Sequence, residues 1–385
     1  MLFRSRQSSP GKALGYSLAA STVGGLFGGL MLLLLSVPLS AIALRMSDPE
    51  FFLIGILGLI AVAGLGSADL VKSFISVVLG LMAGTIGIDV ISSELRYTLG
   101  RPELLEGLNI VAVLVGIFAV SEILDMVSKD LRRTFVTDRT GLSTHISLRE
   151  FLGVRRAFGL GSVLGSTIGI IPGLGAGTSA WFSYSLAKRL SRTRDSFGQG
   201  NPEGIAAPEA ANNATVGGAM LPLITLGIPG SPATAVILGA FIIHGITPGP
   251  SIFGTEKTLV YGIFYGFLLA TVAMFLIGKL LTPLFARVLT TPNYILIPTV
   301  LLLALMGTYA SNYLMFDLWV ALGLGVVAFV MRKLDFSAPA FILAFVLSPI
   351  IEESLRRALL ISDGSYAMFV TRGYSLTILL IIVMI

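Results

Sequence analysis

From Ala13 to Leu44 the chain runs for 32 residues without an acidic or basic side chain, and apolar stretches recur to its end. A helix of about 20 apolar residues crosses a hydrocarbon core of roughly 30 Å. A chain built from such runs folds in a bilayer. Phe51–Leu65, Val71–Ile91, Leu108–Val127, Leu259–Leu289, Ile295–Ala310 and Tyr313–Val330 continue the series, and Phe341–Ile351 and Leu376–Ile385 are shorter members. With the broken segments described next, roughly nine or ten spanning or re-entrant segments are expected. Hydrophobic residues make up 55% of the 385 and charged residues 12%, with a mean hydropathy of +0.90, outside the range of a soluble domain. Alternating ten-residue strands of the barrel type are absent. The fold class is therefore all-α, a polytopic integral membrane protein with internal repeats, re-entrant hairpins and broken helices.

Between Phe158 and Phe253 two apolar segments are each interrupted by Pro-Gly: Ile171-Pro172-Gly173-Leu174-Gly175-Ala176-Gly177 and Gly227-Ile228-Pro229-Gly230-Ser231-Pro232. Proline lacks an N–H and clashes with the preceding turn, so a helix stops at such points. In a bilayer the freed backbone groups survive only inside protein or along a wet cavity. The breaks therefore mark a place where a solute sits. Arg155 and Arg156 precede the first broken segment, and Lys188, Arg189, Arg192 and Arg194 follow it. Basic residues on both flanks put both ends on one side. Split at Pro172, the segment gives two arms of roughly 14 residues, near 20 Å each, too short to span. It reads as a re-entrant hairpin with Pro172–Gly177 at its tip; one kinked, overlong span is the alternative. Gly204 to Ile246 is also too long for a single crossing.

Net charge is +5, but the basic residues sit in loops beside apolar segments, as the positive-inside rule predicts. Orientation accounts for them and no nucleic-acid partner is expected. Arg4, Arg6 and Lys12 place the N-terminus in the cytoplasm. The loop with Lys129, Arg132, Arg133, Arg139 and Arg149 lies there too, and Arg45, Arg96 and Arg101 fall outside. With no cysteine and two histidines, His145 and His244, a Cys/His metal cluster or a disulfide framework is excluded. There is no phosphate loop, His-Glu-x-x-His pair or Gly-x-Ser-x-Gly elbow, so the chain does not read as an enzyme. A channel and a purely structural membrane subunit are the rival readings.

A repeat spans the chain. Pro283 follows Pro38 by 245 residues, Pro292 follows Pro49 by 243 and Asp317 follows Asp69 by 248. At that offset the first-copy partners of both breaks fall before residue 1, so the chain reads as truncated at its N-terminus, with Leu2-Phe3-Arg4-Ser5 foreign to it. Residues 1–156 are then the remainder of the first repeat and a cytoplasmic loop, and 157–385 the second repeat with the broken-helix region. Paired discontinuous helices in repeats are a signature of secondary transporters.

Ile171–Ala176, Phe197-Gly198-Gln199-Gly200, Ala207-Pro208-Glu209-Ala210-Ala211-Asn212-Asn213-Ala214, Leu226–Ser231 and His244-Gly245-Ile246-Thr247-Pro248-Gly249-Pro250 stand in order over about 80 residues. Together with Phe118–Leu124 they resemble the large membrane subunit of the tripartite tricarboxylate transporters, the TctA family. The resemblance implies a multi-pass carrier of the bacterial inner membrane that imports citrate or other carboxylates, driven by Na⁺ or H⁺. It implies as partners a small four-helix membrane subunit and a periplasmic solute-binding protein, within the lipid bilayer. A homodimer is compatible with it, and no cofactor is implied.

A carboxylate that sheds water inside a membrane protein needs donors in its place. Helix N-termini supply unpaired amides and roughly half a positive charge. The expected substrate contacts at the first break are Pro172, Gly173, Gly175 and Gly177, with the hydroxyls of Thr178 and Ser179. At the second they are Gly230, Ser231 and Thr234, and Asn212 and Asn213 lie between the breaks. The alternative is that the glycines only permit close helix packing. Glu209, Asn213 and Thr215 are the expected ion-coupling residues, with Na⁺ at the broken-helix ends and no structural metal. Glu209 also reads as a first-turn carboxylate of a helix starting at Pro208. Glu122 and Asp125 read as an interfacial cluster with the Lys129–Arg133 loop, and Asp69, Asp89 and Asp317 as residues of segment ends. Two broken hairpins meeting tip to tip would move as a block.

Overall fold

A computed structural model describes residues 10–65, 69–89, 91–128, 145–288 and 293–384. Residues 2–6, Lys129, Arg132, Arg133, Arg139 and Pro292 of the sequence argument lie outside them. The described residues are almost wholly helical. The chain opens with α1 (Pro10–Ala43), α2 (Asp48–Leu65) and α3 (Leu70–Gly84). Asp69 caps α3, accepting from the amides of Val71 and Lys72 at 3.0 and 3.2 Å, as a segment-end aspartate does. A two-residue antiparallel ladder, β1 (Gly87–Ile88) with β2 (Leu95–Arg96), follows. Then α4 (Ile110–Leu114) passes through a π-helical stretch, Val115–Val120, into α5 (Ser121–Val127).

The next group is α6 (Leu148–Gly153), α7 (Arg155–Ile170), α8 (Gly175–Leu190), α9 (Glu203–Leu226), α10 (Pro232–Ile243) and α11 (Ile252–Thr255). The last is α12 (Lys257–Val288), α13 (Asn293–Asn312), α14 (Met315–Lys333), α15 (Ala338–Ile361), α16 (Met368–Thr371) and α17 (Gly373–Met384). Among the described residues, six helical segments are long and apolar enough to cross a membrane.

Two expectations change. The run Val71–Ile91 is not one helix: α3 stops at Gly84, Gly87 takes φ +128° and the Asp89 carboxylate holds the amides of Ile91 and Ser92. The run Phe341–Ile351 is part of a 24-residue helix, because the charged second half of α15 pairs its charges. Glu352 takes a two-pronged contact from Arg96, and Arg356 pairs with Asp89. Glu122 and Asp125 also pair with Arg332 and Lys333 of α14, and the Lys129–Arg133 loop expected beside them lies outside the described residues.

The chain forms two compact units, interleaved in sequence. The first, Met1–Ala43, Thr134–Ser231 and Pro248–Thr290, is built around α9. This helix lies between α1 and α7 at backbone contact. A Cβ on Gly24 would sit 2.1 Å from the Ala210 carbonyl oxygen, and one on Gly161 or Gly165 would sit 2.2 Å from that of Ala207 or Ala211. Small residues at four-residue spacing on all three helices make this approach feasible. α12 packs on another face of α1, where Gly25 meets Thr271 and Gly29 meets Leu268.

The second unit, Leu44–Arg133, Pro232–Thr247 and Thr291–Ile385, is built around α15. Its first half buries Phe341, Ile342, Leu343, Leu347 and their neighbours against α2 and α3. Glu50 at the start of α2 is fully buried and accepts from Arg372 at 2.8 and 3.2 Å, and from Ser375 and Ser47. The π stretch packs on α14, with Gly116 against Ala321 and Gly325 against Val120.

Candidate functional site

The first Pro-Gly break is the turn of a helical hairpin. α7 and α8 have 16 residues each, so each arm is about 24 Å long, short of a hydrocarbon core. Val154, Ala157 and Phe158 at the start of α7 share an apolar cluster with Ala187 near the end of α8. The arms are therefore antiparallel, and Ile171–Leu174 stands at the far end from that cluster. Ile171 is extended, as a residue before proline must be. Gly173 follows with φ +91°, a conformation that side chains with a Cβ resist.

The second break starts where Gly227 takes φ +74° and ends α9. The amides of Gly227 and Ile228 turn back to the carbonyls of Leu223 and Pro222. Ile228, Pro229 and Gly230 are buried. The two breaks are joined directly, for the Gly173 N–H donates to the Gly230 carbonyl at 3.0 Å. Gly230 is fixed by space as well: a Cβ there would lie 3.0 Å from Ala219 and 3.1 Å from the Gly169 carbonyl oxygen. Pro172 and Gly173 are buried in this junction.

Beyond the junction begins α8. Leu174 precedes it and gives no side-chain cap, and the first amides, of Gly175, Ala176 and Gly177, have no carbonyl four residues back in the helix. Gly177 is exposed, Gly175 and Thr178 half-buried. This end carries the partial positive charge of the helix, and a helix N-terminus of this kind takes a carboxylate or other anion.

The other expected residues divide between two faces of α9. Ser179 is fully buried, with its hydroxyl 2.5 Å from that of Thr215. The carbonyls of Ala176 and Ala211 are in reach at 3.0 and 2.7 Å, so one hydroxyl donates across the pair and the other to its backbone carbonyl. Glu209 points elsewhere and accepts from Ser21 of α1 at 3.0 Å. The Asn213 amide donates to the Glu209 carbonyl at 3.1 Å, and Asn212 is exposed. α9 starts at Glu203, with Pro208 in its interior, so Glu209 is not a first-turn carboxylate. The proline is tolerated near the helix start because it forgoes one bond, to Gly204, on a half-buried face. Ser231 follows the junction half-buried, and Thr234 is buried in α10, within the second unit.

Four residues of this unit escaped the sequence argument. Ser21 partners Glu209 from 188 positions away. Ser162, Ser166 and Ser183 are buried, and their hydroxyls have no hydrogen-bond partner among the described residues. The legible signal was their spacing, since Ser162–Ser166 and Ser179–Ser183 both stand four apart. A cavity of about 690 Å³, lined by Arg155, Arg156, Arg192 and Glu203, opens at the end of the hairpin away from the breaks. Another, of about 320 Å³, lies beside the Asp89–Arg356 pair of the second unit. Among the described residues no three His, Cys, Asp or Glu side chains are grouped to hold a metal.

A family model described as the tripartite tricarboxylate transporter TctA family matches residues 5–343. An uncharacterized 52.8 kDa protein in the TAR-I ttuC' 3'region of Agrobacterium vitis is 35% identical over 369 residues, 95% of this chain and 73% of that protein. An uncharacterized protein in the TAR-II ttuC' 3'region of the same organism is 37% identical over 215 residues, 56% of this chain and 89% of that protein. No solved structure matches.

Proposed function

The chain belongs to the tripartite tricarboxylate transporter TctA family, whose members are transporter components, and on that premise we propose that it imports citrate-like carboxylates by ion-coupled secondary transport across the bacterial inner membrane. It works with a small four-helix membrane subunit and a periplasmic solute-binding protein. The observation that carries this reading is the junction of the two breaks, where the Gly173–Gly230 hydrogen bond fixes the uncapped start of α8. One carboxylate is received by the amides of Gly175–Gly177, with Thr178 beside them. Dehydration of the anion is offset because these donors are held in place before it arrives. Asn212, Asn213 and Ser231 are the further substrate contacts, and Glu209 and Thr215 join Asn213 in ion coupling.

The test is uptake of labelled citrate and of smaller dicarboxylates into cells or vesicles that contain the chain with both partner subunits, with and without a Na⁺ gradient. The account expects saturable uptake and counterflow. A flux that rises without saturation and shows no counterflow would mean a pore, and would overturn it.

A further inference from the structure

The positive-inside rule explains which side of a membrane basic residues take, but not where on a helix they stand. Lys188 and Arg189 close α8, where the negative end of the helix dipole favours a cation. Arg155 and Arg156 open α7, where the positive end disfavours one. They line one cavity with Arg192, so that three guanidinium groups face a single carboxylate, that of Glu203. Among the described residues none of the three has an ion pair, whereas Lys12, Arg96, Arg332, Arg356 and Arg372 all do. Their charge is left for an occupant from outside the chain.

The cavity is polar on one side only. Its volume is about 690 Å³, within the range of pockets that hold a bound molecule, and Leu152, Ala157, Leu160, Ala187 and Leu190 form its apolar wall. Charge and hydrocarbon are ordered by depth. Arg156 stands at the base of the hairpin, and Leu160 is four residues along α7 toward the tip, about 6 Å deeper. On the other arm Ala187 lies five residues to the tip side of Arg192. The base of the hairpin is at the membrane interface, because both arms end there and neither is long enough to span. Cations outermost with apolar side chains beneath match a phospholipid in its leaflet. The rim is open to lipid as well, since Leu148, Leu152 and Leu190 are 73%, 47% and 68% exposed.

We propose that this cavity holds an anionic glycerophospholipid, with its phosphodiester between Arg155, Arg156 and Arg192 and an acyl chain along Leu152, Leu160 and Leu190. Guanidinium groups offer phosphate oxygens paired, charge-assisted donors. One carboxylate cannot balance three of them, so the lining selects an anionic headgroup over a zwitterionic one. A soluble phosphate would leave the leucines in water, so the apolar wall selects the lipid. Such an occupant bridges the two arms, for Arg155 and Arg156 belong to α7 and Arg192 follows α8. It clamps the end of the hairpin opposite the Pro-Gly turn. The site requires that the chain lie in a membrane and does not rest on the transport reading.

The experiment takes the full chain with its partner subunits, stripped of lipid in detergent. Native mass spectrometry reads the lipid retained, and a thermal scan reads the unfolding midpoint. Cardiolipin, phosphatidylglycerol, phosphatidylethanolamine and inorganic phosphate are added separately. The expected result is saturable retention of cardiolipin or phosphatidylglycerol with a raised midpoint, and no rise with phosphatidylethanolamine. Inorganic phosphate should need at least a tenfold higher concentration for the same rise. Arg155→Gln and Arg192→Gln should each weaken half-saturation at least tenfold. Arg189→Gln removes the same charge outside the cavity and should change it less than twofold. Equal weakening in all three variants overturns the proposal, for then the arginines act only as a diffuse field. Equal stabilisation by phosphatidylethanolamine, or by inorganic phosphate at the same concentration, overturns it too, as does an unaltered protein that retains no anionic lipid. The expected pattern in a protein that takes up no carboxylate would leave the lipid site standing and remove the transport reading instead.

Discussion

The two units bury a central helix with different mixtures of side chains. α9 is surrounded by backbone: its alanines and glycines meet the glycines of α1 and α7, and its buried polar side chains are the hydroxyls of Thr215 and Thr225. α15 buries large side chains of its own, Phe341, Ile342, Leu343 and Leu347 among them, meets α3 closely at Gly80 and Gly84, and the ends of its unit are fastened by charge pairs, Arg96 with Glu352, Arg356 with Asp89 and Arg372 with Glu50. Small-residue packing gives up buried area for close approach, and close approach is what lets two chain breaks meet through a backbone hydrogen bond. Large side chains and paired charges fix one arrangement. The difference teaches that small residues bring backbone to backbone in the first unit, while large side chains and paired charges hold the second together.

The contrast can be broken experimentally, and the largest effect is expected at the junction. Gly173→Val requires a β-branched residue at φ +91° and removes the alignment with Gly230. Uptake should fall on the order of 100-fold while membrane assembly, read by blue-native gels, persists. In the second unit Arg372→Ala leaves the fully buried Glu50 carboxylate without its cation. That should cost roughly 3–5 kcal/mol in unfolding experiments, and uptake per folded molecule should hardly change. Loss of stability without loss of turnover is the signature that separates scaffold from site.

A smaller effect sharpens the packing half of the comparison. Gly165→Ala puts a methyl 2.2 Å from the Ala211 carbonyl oxygen and should destabilise the first unit by about 1–3 kcal/mol. Gly262→Ala on α12, where a Cβ would meet nothing within 4 Å, should be neutral or stabilise by about 0.5 kcal/mol. The smallest difference is with pH. Glu150, beside Lys12 and capping Ser147, has its pKa held down to about 2. A depressed carboxylate contributes stability above its unfolded value, near about 4.3, and loses it as pH falls toward the folded one. Asp89, bound by the Ser92 amide and Arg356, is lowered as well. Neither unit should therefore lose these contacts between pH 8 and about 5, as thermal scans across that range would show.

What the sequence made legible was local. Pro172 and Gly173 ended a helix because of what proline and glycine are, Gly227 closed α9 and Asp69 opened α3, each within a few residues of its own signal. Hidden features depended on distant partners. α15 continues through Glu352 and Arg356 because Arg96 and Asp89, more than 250 positions earlier, neutralise them, and apolar periodicity carries no trace of that. Glu209 read as a helix-start carboxylate since nothing nearby indicated that α9 begins five residues before Pro208, or that Ser21 would meet it. The buried serines were visible as letters at four-residue spacing, but their lack of partners is a property of three packed helices.

The chain contains no cysteine, which allows a single reporter at the proposed carboxylate site. Gly177 is exposed in the first turn of α8, so a Gly177→Cys protein should react with a small maleimide. If the junction presents the α8 amides to the substrate, citrate or another transported carboxylate should slow that reaction at least several-fold, in a saturable way, and an unrelated anion such as chloride should not. Labelling at one unchanged rate across all carboxylates, in a variant that still transports, would contradict the account.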